Sequence, residues 1–169
     1  MLRLVVWVEG RYDQWFVDAV IKPRLETKYA QVVVKEYRQK ETAEVNRLLR
    51  KMAHQGFGRL FFADLDYAPC ITDRKEKVKE RYPSIEDREI IVVSREIECW
   101  YLGGLSPKGA GDLKIEVPSS TDRLAKEDLR LLRPPKLETA PFLLELLEHF
   151  DPNLACQRNK SFAYFYAQI

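Results

Sequence analysis

Two aspartates, Asp64 and Asp66, follow the apolar run "LFFA" at the end of a predicted buried strand. Side chains one residue apart in an extended chain point to the same side, so both carboxylates could reach one cation. Ligand sets made only of oxygen suit a hard ion such as Mg²⁺ or Mn²⁺. The same two residues could instead form turns or cap the next helix, and the pair alone does not decide between these roles.

Acidic residues also follow two other predicted strands. Glu9 and Gly10 come directly after "LVVWV", and Glu96 and Glu98 come shortly after "IIVV". The carboxyl ends of parallel strands meet at one edge of a sheet, where ligands bind. Two carboxylates about 4 Å apart repel by roughly 4 kcal/mol at an effective dielectric constant near 20. Protonation, arginine side chains or a divalent cation must therefore compensate the charge.

Several of these acids have a structural explanation as well. Glu96 and Glu98 could be solvent-facing residues in a first helical turn, and Asp13 could serve the N-terminus of its helix. Glu9 is harder to explain in this way, because it ends a strongly apolar strand and precedes Gly10, which permits a sharp turn and close approach of a ligand. No cysteine or histidine accompanies these acids, which argues against zinc.

The elements that must position the acids alternate along the chain. Nearly continuous apolar runs predict buried strands at 2–8, 31–37, 59–63 and 89–93. Helical spacing predicts helices at 12–26, 42–54 and 73–81. This order predicts an α/β fold: a three-layer, Rossmann-like, open and mainly parallel four-stranded sheet with helices on both faces.

After Val93 the pattern changes to helices and loops. We predict helices in "REIECWYL", "TDRLAKEDLRLL", "TAPFLLELLEHF" (with Thr139 as its N-cap) and 157–168, and a loop in "SPKGAGDLKIEVPSS". The prediction is one domain over residues 1–169, with a core at about 2–105 and a helical C-terminal extension at about 106–169.

Composition narrows the class of protein. The chain has 169 residues, of which 46% are hydrophobic and 32% charged, which predicts a folded globular protein without a membrane role. The absence of a signal-peptide pattern predicts a cytoplasmic location. The net charge is only +2, but basic residues in "RLLRPPK" (Arg133, Lys136) and "QRNK" (Lys160) could form a local basic surface or an ordinary solvated face.

The motifs together resemble those of Toprim domains. "VVWVEGRYDQWFVDAVIKPRL" resembles the first Toprim motif, a strand followed by Glu-Gly and a helix, and "RLFFADLDYA" resembles the second, a strand followed by Asp-x-Asp. "VVSREIECWYLGG" is similar to a segment of small stand-alone Toprim-like proteins related to the overcoming-lysogenization-defect nucleases. The resemblance covers about residues 2–105.

The resemblance implies a metal-dependent phosphotransfer protein, most simply a nuclease cleaving DNA or RNA. Glu9 would be the general acid/base or a metal ligand, and Asp64 and Asp66 would bind Mg²⁺ or Mn²⁺, with Glu96 or Glu98 as a further ligand. Carboxylates hold such ions, which activate water and stabilise charge on the scissile phosphate. Substrate contacts would come from the following residues: Gly10, Arg11, Asp13, Arg95, Arg133, Lys136 and Lys160.

Two other functions stay open from the sequence. The chain could be a non-catalytic Toprim-like module that binds nucleic acid or a partner ATPase of the AAA or ABC type, and it could form a homodimer. It could also be a different doubly wound domain whose acids bind Mg²⁺ for another purpose. A receiver-like site would need a lysine where Ser94 and Arg95 stand. No tyrosine stands out as a topoisomerase-type nucleophile.

Overall fold

A computed structural model describes residues 2–169, which form two compact units. The first ends at Val92 and contains most of the sheet, and the second is Val93–Ile169. The boundary thus falls at the end of the sheet, whereas the sequence placed the end of the core near residue 105. None of the helices in the described part of the chain has the length and apolar character needed to cross a membrane.

The first unit confirms the predicted α/β architecture, a Rossmann-like open sheet. The strands are β1 (Arg3–Val8), β2 (Gln31–Glu36), β3 (Phe57–Asp64) and β4 (Ile90–Val93), in the spatial order β2-β1-β3-β4. β1 pairs in parallel with both β2 and β3. Every residue of β1 from Leu4 to Val8 is buried, as expected for a strand covered on both faces.

Helices connect the strands as the apolar spacing predicts. They are α1 (Arg11–Phe16), a π-helical turn (Val17–Ile21), α2 (Lys22–Leu25), α3 (Thr42–His54) and α4 (Ile71–Arg81). A 3₁₀ turn, Asp87–Glu89, precedes β4. The bounds of α3 agree with the sequence prediction, and α1 to α2 follow the predicted helix with a π-helical interruption.

The two crossover directions create a switch point between β1 and β3. β2 lies on one side of β1 and β3 on the other, so right-handed crossovers place the connecting helices on opposite faces of the sheet. Accordingly, Trp7 and Phe61 pack in one cluster with Val45 of α3 and Val78 of α4. The carboxyl ends of β1 and β3 therefore flank the crevice in which open α/β sheets bind ligands.

The second unit is helical and is organised around buried side chains. Its helices are α5 (Glu98–Gly103), α6 (Pro107–Leu113), α7 (Lys126–Leu132), α8 (Thr139–Glu148), α9 (Pro152–Arg158) and α10 (Lys160–Tyr166). Trp100 lies against Phe162, and its indole N–H donates to Ser161 Oγ at 2.8 Å. Fully buried Asn159 donates to Thr121 Oγ1 at 3.1 Å, which ties distant parts of this unit together.

Several boundaries in the second unit differ from the sequence prediction. The predicted loop "SPKGAGDLKIEVPSS" contains α6, which Ser106 caps by accepting from the Gly109 N–H at 3.2 Å. Glycine at position 109 allows close packing against His149 and does not mark a loop. A Cβ at this position would lie 2.4 Å from His149 Cβ. The predicted single helix at 157–168 is instead two helices, since Asn159 is extended and accepts from the Phe162 N–H at the start of α10.

Two further helices begin later than predicted. α5 begins at Glu98 because Arg95 has a left-handed backbone, with φ of 68°, which interrupts a helix. α7 begins at Lys126 instead of Thr121. α8, in contrast, begins one residue earlier than predicted, with Glu138 instead of Thr139 in the N-cap position.

Candidate functional site

Glu9 and Asp64 stand at the ends of neighbouring parallel strands. Trp7 is paired with Phe61, so continuing the register places Glu9 beside Ala63 and one residue short of Asp64. Neighbouring strands lie about 4.8 Å apart, so the two backbones bring these residues to the same edge of the sheet. Glu9 is 18% exposed, so its carboxylate is largely shielded but can be reached from solvent. Both acids thus follow neighbouring parallel strands at one edge of the sheet, and their sharing of one site stays a prediction.

Tyr37 lies among these acids immediately after β2. Its hydroxyl is buried and donates to the carbonyl oxygen of Phe62 at 3.0 Å. Burial is the main cause that raises the pKa of Tyr37 well above its ordinary value, and the negative charge of Glu9 raises it further. Asp64 and Asp13 act in the same direction, while Arg74 opposes them. The charges of three carboxylates thus act on one buried hydroxyl.

The raised pKa predicts that Tyr37 makes a pH-dependent contribution to the free energy of unfolding. The folded-state pKa lies above the unfolded value of about 10, so the contribution is complete below pH 10 and is lost as the pH rises toward the folded pKa. Tyr37→Phe should cost about 1–3 kcal/mol at pH 7, because the Phe62 carbonyl loses its donor. The difference from wild type in urea unfolding should then shrink above about pH 10. Exposed Tyr164→Phe serves as control, and a pH-independent difference would contradict the prediction.

Arg38 contacts Glu9 through both its backbone and its side chain. Its backbone N–H donates to the Glu9 carbonyl at 3.1 Å, and its guanidinium lies 3.8 Å from Glu9 Oε1. The side chain of Arg38 is nevertheless 74% exposed, so the ion pair is long and open to solvent. Such a pair contributes little to stability, which leaves Arg38 able to exchange one anionic partner for another.

Asp66 differs from Asp64 in both backbone and partner. β3 ends at Asp64, and Asp66 has a left-handed backbone with φ of 48° in the turn that follows. The expectation that the two aspartates lie on one extended segment and point to the same side is therefore wrong. Asp66 Oδ2 lies 3.4 Å from an Nη atom of Arg74, which belongs to the first turn of α4. Arginine rather than a second carboxylate thus faces Asp66.

The turn after β1 has mainly a structural arrangement. Asp13 is buried and accepts from the Gly10 N–H at 3.2 Å, which is the helix-terminal role that the sequence left open for it. Gly10 has φ of −151°, an extended conformation that any residue adopts, so its backbone conformation does not require glycine. Arg11 is exposed at the start of α1, where a phosphate contact stays a prediction.

Glu96 and Glu98 belong to the second unit, whereas Glu9, Asp64 and Asp66 belong to the first. Both carboxylate oxygens of Glu96 bind Lys126, at 2.7 Å to its backbone N–H and 2.7 Å to its Nζ. Burial would raise the pKa of Glu96, but these hydrogen bonds outweigh it and lower the pKa. Burial raises the pKa of Glu98, and the charge of Glu96 adds to the effect. Metal binding by Glu96 would have to replace Lys126.

The predicted basic contacts of the second unit are in different environments. Lys136 and Lys160 are exposed, and so is Arg95. Arg133 is partly buried and donates to the carbonyl oxygen of Leu137, so it serves the segment after α7. Exposed cations such as Lys136 and Lys160 are able to contact the phosphate groups of a nucleic acid, whereas Arg133 has a local structural role.

No family model matches this chain, and neither the curated proteins nor the solved structures include one that is significantly similar to it. The resemblance to Toprim domains therefore stays a prediction from the strand-end motifs. Within residues 2–169, no three histidine, cysteine, aspartate or glutamate side chains are grouped closely enough to hold a metal ion by themselves.

Sequence reasoning missed Tyr37, Arg38 and Arg74. The segment "VKEYRQKE" after β2 offered no single acidic candidate, yet β2 is the neighbour of β1, so its end belongs to the same edge. Arg74 follows Cys70, which caps α4 by accepting from the Asp73 N–H at 3.4 Å. The available signal was a basic residue in the first turn of the helix that follows the Asp-x-Asp loop, because that helical turn folds back toward the loop.

Proposed function

We propose that this chain is a metal-dependent phosphodiester hydrolase of the Toprim type that acts on nucleic acid. The observation that carries the proposal is the position of Glu9 and Asp64, on neighbouring parallel strands at the switch point of the sheet. A buried strand end that carries a carboxylate on each side of a ligand crevice is costly unless the acids have a cationic partner. Glu9 and Asp64 would hold a Mg²⁺ or Mn²⁺ ion, which would supply charge stabilisation at a phosphate.

The donor set suits such an ion even without a cage of three protein ligands. Mg²⁺ is commonly held by one or two carboxylates, with water and substrate phosphate oxygens in its remaining positions. Asp64 and Glu9 would supply these carboxylates. When bound, the ion would activate water and stabilise negative charge on phosphate. Glu9, partly exposed, can also accept or donate a proton at its carboxylate.

The two arginines fit a phosphate-handling site. In this structure Arg38 is paired with Glu9 and Arg74 with Asp66, so each acid already has a compensating charge. A cation between Glu9 and Asp64 would weaken the Glu9–Arg38 pair, and the guanidinium group of Arg38 could then bind phosphate oxygens in bidentate fashion. Arg38 therefore acts as a counter-charge without substrate and as a phosphate contact with it, while Arg74 keeps its pair with Asp66.

A second candidate function is a non-catalytic module that binds nucleic acid or a partner ATPase of the AAA or ABC type. The arginine partners of Glu9 and Asp66 favour this candidate, because they satisfy the acids without any metal. Both candidates use the same surface of the sheet, and they differ in whether a metal binds and a bond breaks.

Metal binding tests the proposal first. Mn²⁺ titration followed by electron paramagnetic resonance should show at least one site in wild type, and Glu9→Gln should weaken it about tenfold or more, because one charged ligand is lost. Exposed Glu80→Gln in α4 removes the same charge outside the site and should leave Mn²⁺ binding unchanged.

Cleavage tests it second. Single-stranded DNA, plasmid DNA and RNA should be incubated with Mn²⁺ and the same three proteins. Wild type and Glu80→Gln should cleave at least one substrate, and Glu9→Gln should not. Mn²⁺ binding that is unaffected by Glu9→Gln would remove the basis of the metal site, and metal binding without cleavage would favour the non-catalytic module.

A further inference from the structure

We infer that Tyr67 is a stacking platform for an unpaired nucleobase, so that the substrate of this site is a single-stranded nucleic acid. The inference rests on the proposed function, since it concerns the same edge of the sheet, and it adds the class of substrate. Its observations are the exposure of Tyr67, the turn that fixes it, and its distance along the chain from Asp64.

Tyr67 is 101% exposed, as much as a tyrosine in an open chain. Most large aromatic side chains of the first unit pack in its core, among them Tyr37, Phe61 and Tyr82. Ile71, at the start of α4, is also exposed, at 53%. An aromatic ring that is fully exposed to water at the rim of a ligand crevice can bury its apolar surface against a ligand with a flat apolar face.

The backbone under Tyr67 is held by its neighbours. The Ala68 N–H donates to the Leu65 carbonyl at 3.0 Å, which closes the turn around Tyr67. The Asp66–Arg74 ion pair joins this turn to α4. Because the hydrogen bond closes the turn, less ordering of the backbone remains to cost free energy when a base stacks on the ring.

The length of chain limits how far the ring can be from the acids. Tyr67 is three residues after Asp64, so their Cα atoms are at most about 11 Å apart. Stacked nucleotides advance about 3.4 Å each along one strand. The ring can therefore stack on a base within about three nucleotides of a phosphate that lies near Asp64. Arg38, exposed beside Glu9 on the β2 side of β1, supplies a cation for the nucleic-acid backbone on the other side of that phosphate.

A duplex does not suit this arrangement. Its bases already stack on one another, and only unpaired bases expose a face to a side chain. A tyrosine presents a stacking face and no sequence code, so binding should tolerate different bases. The inferred ligand is therefore single-stranded DNA or RNA of mixed sequence.

Binding without cleavage tests the inference. A fluorescein-labelled single strand of about 12 nucleotides is titrated in EDTA at about 50 mM salt, and anisotropy is recorded. Tyr67→Ala should bind about 5- to 150-fold more weakly than wild type, the range for loss of one stacked base. Tyr67→Phe keeps the ring and should bind within about twofold of wild type. Tyr164→Ala, a second exposed tyrosine at 76% exposure, should also match wild type.

An abasic strand of the same length separates stacking from other effects of the substitution. Wild type should lose most of its advantage over Tyr67→Ala on this strand, because no base remains to stack. Equal binding of the normal strand by wild type and Tyr67→Ala would overturn the inference. So would an equal loss on normal and abasic strands, or a wild-type preference for duplex of the same length.

The outcome is distinguishable from that of the hydrolase proposal, because this assay contains no metal and needs no bond cleavage. Base-dependent binding through Tyr67 without any cleavage would leave the inference standing and remove the hydrolase. Cleavage with an unchanged KM for single strands in Tyr67→Ala would do the opposite.

Discussion

Asp64→Asn is expected to lower metal-dependent cleavage at least about 100-fold, whereas Asp66→Asn is expected to lower it about tenfold or less. The sequence treats the two aspartates of "DLD" alike, and the structure separates them. Asp64 ends β3 beside Glu9, and its charge acts on the buried Tyr37 hydroxyl. Loss of a charged metal ligand removes several kcal/mol of charge stabilisation, and each 1.36 kcal/mol is a factor of about ten in rate.

Asp66 contributes in a different way. It lies in the turn after β3, its side chain is 43% exposed, and its carboxylate is paired with Arg74. Asparagine tolerates the left-handed backbone of this position, so Asp66→Asn should keep the turn and remove only the charge. The expected effect is a looser Arg74 and a modest change in KM, since a partly exposed ion pair is worth about 1 kcal/mol or less.

Single-turnover cleavage at saturating Mn²⁺ measures both variants, with circular dichroism to verify folding. Asp73→Asn is a matched control, because Asp73 is also near the start of α4 but pairs with Lys77 within that helix. Asp73→Asn should cleave as wild type does. Equal losses in Asp64→Asn and Asp66→Asn would contradict the distinction and restore the symmetric pair that the sequence suggested.

The strands of this protein are predictable because their signal is local and strong. Continuous apolar runs identified all four, and parallel pairing then required Glu9 and Asp64 to share an edge. The sequence could not show that Asp66 has a left-handed backbone, because aspartate tolerates both conformations. Nor could it show that Arg38 and Arg74 face the acids, since ion pairs depend on where the two chain segments meet.

The helical unit was harder to predict for a related reason. Gly109 and Gly111 in "SPKGAGDL" are the usual signals of a loop, yet α6 forms there. Gly109 is required by contact with His149, a residue distant in sequence, and the Ser106 cap with Pro107 starts the helix. Tertiary packing outweighed propensity at this point, and periodicity cannot report tertiary packing.

Phe61→Ala is expected to lower the free energy of unfolding by about 3–5 kcal/mol, the largest stability effect we predict for a single substitution in the first unit. Phe61 is fully buried in β3, its ring stacks on Tyr37 at 4.4 Å, and the ring of Tyr82 lies at 5.0 Å. Truncation leaves a cavity between strands and helices that these rings cannot fill without leaving their positions. Urea unfolding followed by fluorescence measures the loss.

Phe57→Ala is the matched control, because Phe57 begins the same strand and is only partly buried. It should cost less than Phe61→Ala, since part of its ring remains in contact with water and less apolar area is lost. Equal costs for the two variants would mean that the core is not centred on Phe61. The Tyr37 ring stacks on Phe61, and the charges of Glu9, Asp64 and Asp13 act on its hydroxyl. Phe61→Ala should therefore also weaken Mn²⁺ binding under conditions where the variant remains folded. Phe57→Ala, at the opposite end of β3, should leave Mn²⁺ binding unchanged. This difference between the two variants would connect the packing of the core to the geometry of the acidic edge.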